Sequence, residues 1–93
     1  MAKFIIGMEI LCMPKDEAGR FKWVTSLENG EPQLSNNFSD SMLLDETDAV
    51  FFTTLYEFQT TLHDISHMTT LIIKDAIRDE LLTLKEFKGL YDV

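Results

Sequence analysis

Ninety-three residues, 45% apolar and 26% charged, describe one ordinary globular domain over 1–93, with no second core and no signature of disorder. A net charge of −8 argues against a direct nucleic-acid binder, whose affinity rests on Lys and Arg contacts to phosphate. One cysteine, Cys12, excludes an internal disulfide and a cysteine-based zinc site, and it fits a reducing compartment, so the expected location is the cytoplasm.

Phe4 to Met13 alternates loosely, and both alternating faces are mostly apolar, as in a strand covered on two sides or central in its sheet. The run is too short for a membrane span and is interrupted by Glu9, so no membrane association is expected. It also lacks the charged start and small-residue cleavage site of a signal peptide. Pro14 ends the strand. Cys12 within it reads as inert packing. Lys15 to Gly19 is a polar loop, and Arg20 to Leu27 is a second strand. Its alternation sends Phe21, Trp23, Thr25 and Leu27 one way and Lys22, Val24 and Ser26 the other. Asn29-Gly30 then marks a hairpin turn, because both residues tolerate positive φ. A third strand is expected at Gln33 to Phe38, and a short one at Ser41 to Leu44.

Asp45 caps a helix running to Ile65, with Asp48 three residues on and acids in the first turn that suit the helix dipole. Phe51, Leu55, Phe58, Leu62 and Ile65 recur at intervals of four, three, four and three, one narrow stripe at about 100° per residue. The stripe is expected to face the core. Phe52 and Tyr56, displaced about 100° from it, either widen the core or face a partner. In the second case Asp48 and Glu57 complete a mixed aromatic and acidic surface, a common hot-spot layout. Beyond Ile65 the spacing of Ile72, Ile73, Ala76, Ile77, Leu81 and Leu84 favours helix across most of Thr70 to Lys88 over a strand at Thr69 to Ile73. The expected fold is α+β: a small antiparallel sheet of two to four strands, packed by one long amphipathic helix and a second C-terminal helix.

No catalytic motif stands out. No serine lies in a G-x-S-x-G setting, and the four glycines are isolated, leaving no phosphate loop. His63 and His67 have the i, i+4 spacing of a helical metal pair, with Asp64 where the H-E-x-x-H helix has its general base. A small metal-dependent hydrolase is therefore one alternative function, although two histidines near a helix end are the plainer reading. No cofactor is expected, and the leading expectation is that the protein is not an enzyme.

Charge distribution carries the main functional hint. Residues 1 to 39 hold five acids and four bases, residues 40 to 93 eleven acids and four bases. Between Lys22 and Lys74 there is no Lys or Arg. Such a field steers a protein toward a basic surface. The expected contacts are Asp40, Asp45, Glu46, Asp48, Phe52, Tyr56, Glu57 and Asp64, the partner being a basic surface of a host protein or complex. A homo-oligomeric structural or ligand-sequestering protein, associating through the apolar strip, is the other alternative.

The run from Phe21 to Phe58, FKWVTS then QLSNNFSDSMLLDETDAVFFTTLYEF, resembles small acidic phage-encoded accessory proteins. The likeness lies in a strand, a polar Asn/Ser/Asp segment, a short apolar strand, an acidic cap and an amphipathic helix. It implies a stoichiometric inhibitor of a host enzyme or defence complex, in some cases by imitating DNA.

Overall fold

The computed structural model describes residues 2–28, 31–63 and 68–91. Five strands form one sheet: β1 Phe4–Ile10, β2 Phe21–Glu28, β3 Glu31–Ser35, β4 Thr69–Asp75 and β5 Glu80–Leu82. Two helices, α1 Glu46–His63 and α2 Leu84–Tyr91, complete the α+β domain. The sheet order is β3-β2-β1-β4-β5, and every neighbouring pair is antiparallel. There are thus five strands where two to four were expected.

β1 is the central strand, which accounts for its apolar residues on both faces. It pairs with β4 along its whole length, from Phe4 opposite Asp75 to Ile10 opposite Thr69. On its other side Gly7 faces Trp23, and the indole lies so close over the glycine that any Cβ there would collide with the ring. β1 stops at Ile10, earlier than its apolar run suggests. Cys12 therefore sits exposed in the following turn and not inside the strand. A short 3-10 turn, Ala18–Arg20, leads into β2. There Arg20, 8% exposed, meets the Glu9 carboxylate at 2.5 Å and also donates to the Met13 carbonyl. The guanidinium can be buried because its charge and its donors are both matched.

β2 does not keep the simple alternation. Val24, not Trp23, enters the core at 1% exposure. A bulge between Val24 and Ser26 then shifts the phase, so that Leu27 also packs against the core. One extra residue moves a strand's later side chains to the opposite face. Pairing of Glu28 with Glu31 brackets Asn29-Gly30, the turn residues themselves lying outside the described ones. β3 is over by Ser35, and Phe38–Asp40 is a 3-10 turn where strand was expected. Ser41 to Leu44 makes only an isolated bridge. Leu44 exchanges two 2.8 Å backbone hydrogen bonds with Phe4, and the Met42 N–H donates to the Val24 carbonyl. This segment thus bonds to both β1 and β2 beyond their shared pairing, which ends at Gly7 and Trp23.

Both helices lie on one face of the sheet. Phe4, Ile6, Val24, Leu71 and Ile73 come up from the strands to meet Leu44, Ala49, Phe52 and Phe87. The Phe4 and Phe87 rings pack edge-on at 5.2 Å. A Glu57–Lys88 ion pair of 2.9 Å joins α1 to α2, and the Tyr56 hydroxyl is 2.6 Å from that of Thr69 on β4.

The helix expected across Thr70 to Lys88 is instead strand, turn, strand and short helix. Thr69 to Ile73 is β-branched and fits a strand covered on one face. The turn that ends β4 is built from aspartates. Asp75, 4% exposed, accepts the N–H groups of Ile77 and Arg78 at 3.0 Å each, and Asp79 takes φ 56°. α2 begins at a reciprocal cap. The Thr83 N–H donates to Glu86 Oε1 at 3.0 Å, and the Glu86 N–H donates to Thr83 Oγ1 at 3.1 Å.

Candidate interaction surfaces

The expected inward stripe of α1 faces outward. Phe51 is 50% exposed, Phe58 61% and Leu62 63%, while Leu55 is half-buried. The inward arc, centred roughly 140° away at 100° per residue, holds Ala49, Phe52, Thr53, Tyr56 and Thr60. Small residues let the helix approach the sheet closely. The two buried threonines behave as apolar side chains, because their hydroxyls donate to helix carbonyls: Thr53 to Val50 and Thr60 to Tyr56, both at 3.0 Å. Ile65 lies outside the described residues.

This rotation changes the expected contact set. Phe52 is a core residue and offers no surface anchor. Tyr56 is half-buried against the core with its hydroxyl engaged. Glu57 is neutralised by Lys88. The mixed patch of Phe52, Tyr56, Asp48 and Glu57 therefore does not form, because its aromatics point inward.

What does gather is the first turn of α1. Leu44 is fully buried and bonded to β1, which fixes where the next residue stands. Asp45 Oδ1 accepts the Asp48 N–H at 2.8 Å, the expected cap. Asp45, Glu46 and Asp48 are all exposed, and among the described residues none of them is in an ion pair. Leu43, 56% exposed, precedes them. Asp40 is exposed on the 3-10 turn, 2.7 Å from the Ser35 hydroxyl. That turn belongs to the other face of the sheet, where Phe38 packs edge-on to Trp23 at 4.9 Å. Asp64 and His67 lie outside the described residues, as does the side chain of His63, so the histidine pair is not placed. Among the described residues no cluster of three or more His, Cys, Asp or Glu could hold a metal ion. Nor is any helix among them long and apolar enough to cross a membrane.

Two concavities flank α1. One, of about 360 Å³, is lined by Tyr56, Glu57, Thr60, Thr61, Thr69, Thr70, Leu71, Thr83 and Leu84. Its carboxylate is already held by Lys88, and its phenol by Thr69. The other is an apolar groove of about 360 Å³ between α1 and the β3 edge, lined by Met8, Pro32, Leu34, Phe52, Leu55, Tyr56 and Gln59. The outward stripe was legible as a strict four-three-four spacing. That is narrower than the arc a helix usually buries in its own domain, and closer to the seam between two helices. Comparison of the chain with protein-family models, with curated proteins and with solved structures returned no match.

Proposed function

We propose that this is a non-enzymatic binding protein that covers a basic surface of a host macromolecule and so inhibits or modulates it. One observation carries the reading. The sheet anchors Leu44, and the turn that follows holds Asp45, Glu46 and Asp48 together, exposed and without a described cation partner. A preset acidic edge attracts a basic partner without ordering long side chains first. Blockade of the covered surface is the mechanism. The resemblance to small acidic phage accessory proteins points to the same role, with a host defence or nucleic-acid-handling complex as the class of target.

The test is retention of partners from host lysate on immobilised protein, compared with the Glu46→Lys/Asp48→Lys variant. Asp45 is left intact because it caps the helix. A specific partner should be lost at high salt and lost to the variant at low salt. Retention that is indifferent to salt, or equal for the variant, rejects the proposal.

A further inference from the structure

We infer that the outward stripe of α1 is a homodimer interface, formed by two copies of this chain packing antiparallel along Phe51, Leu55, Phe58 and Leu62. The stripe runs about 16 Å along the helix. Three of its four side chains are half exposed or more, and the fourth, Leu55, lines the apolar groove beside Leu34. The uncovered apolar surface therefore extends from the helix to the sheet edge. An exposed patch of this kind marks an association site.

Charge selects the occupant. A chain of net charge −8 meets its own copy only where acids are absent. Within 51 to 62 the exposed residues flanking the stripe are Thr54, Gln59 and Thr61, all uncharged, and the nearest acid on this side, Asp48, stands one turn before Phe51. Glu57, the one acid within 51 to 62, is held on the α2 side by Lys88. The spacing of the stripe is also its own mirror. About the point between Tyr56 and Glu57, an antiparallel copy sets Phe51 against Leu62 and Leu55 against Phe58, each contact occurring twice. Such self-complementarity is what a two-fold interface requires. A parallel pair would bring both acidic first turns together. The antiparallel pair sends Asp45, Glu46 and Asp48 of each copy to opposite ends. The other face of the sheet is a poorer seam, since Phe38 already lies over Trp23 and Lys74 stands beside it, 5.9 Å from the Phe38 ring.

The inference is independent of the acidic-edge reading and is tested without a partner. Sedimentation equilibrium is run over a concentration series, under reducing conditions because Cys12 is exposed. The wild-type chain should pass from monomer to dimer. Phe58→Asp and Leu62→Lys should each remain monomeric with an unchanged circular dichroism spectrum, and Phe58→Leu should still dimerise. A wild-type chain that is monomeric at every concentration overturns the inference, and so does a dimer that survives both charged substitutions. For orientation, antiparallel pairing brings Thr54 beside Thr61 of the second copy. Thr54→Lys/Thr61→Glu should then tighten the dimer about fivefold, as two exposed charge pairs would. No tightening rejects the antiparallel arrangement.

Discussion

The two faces of α1 are unlike in an instructive way. The outer face has four large apolar side chains in strict register, and the inner face has two aromatics set among alanine and threonine. The protein folds on the less regular one. A helix packs against its own sheet on the side that lets the backbones come close, and Ala49, Thr53 and Thr60 supply that room. Regularity of an apolar stripe thus does not by itself say that the stripe faces the chain's own core.

Alanine substitution gives the sharpest contrast between these faces. Phe52→Ala should cost the fold about 3–5 kcal/mol, as for other buried phenylalanines. Phe58→Ala, measured dilute enough to keep the chain monomeric, should stay within about 0.5 kcal/mol of wild type. Urea denaturation of both variants checks the ordering, and a larger loss for Phe58→Ala would mean that the helix is turned the other way. On the far face of the sheet, Gly7→Ala forces a methyl group into the Trp23 ring. Overpacking of this kind costs about 1–3 kcal/mol, readable as a lower urea midpoint and a changed tryptophan emission. A smaller loss belongs to α2. Thr83→Ala should cost about 1 kcal/mol by removing one half of the reciprocal cap. The other half is sensitive to pH. Hydrogen bonds from the Thr83 backbone and side chain hold the Glu86 carboxyl below its ordinary value of 4.5. Its stabilising contribution is therefore present above that value and fades as pH falls through the lowered one. Glu86→Gln should flatten this part of the acid dependence of melting.

Local chemistry was legible wherever a single side chain decides a backbone outcome. Asp45 caps α1 as its position suggests, and Asn29-Gly30 sits between two paired strands. The doubly apolar β1 is indeed central. Outcomes decided by tertiary partners were harder to read. The β4–β5 turn contains neither glycine nor proline, because Asp75 and Asp79 do their work, so a strand–turn–strand unit imitates a helical period. The signal that separates them is Thr83-Leu84-Lys85-Glu86, which places a helix start after Leu82 and leaves Thr69 to Leu82 for other structure. In β2 the bulge at Thr25 has no residue marker and reverses the faces of everything after it. As for the site, the base-free interval holds eight acids, and the three at the start of α1, Asp45, Glu46 and Asp48, are exposed. It could not foresee that Lys88 would reach Glu57 from the far end of the chain.

The central position of β1 also governs the order in which the molecule can be made. This strand precedes the other four in sequence, yet its longest pairing is with residues 69–75, some sixty positions further on. Until those residues emerge from the ribosome, a nascent chain carries an open hydrogen-bonding edge beside Phe4 and Ile6. A product terminated after α1 should therefore be prone to aggregate. Completion of the sheet therefore waits until residues 69–82 have been made.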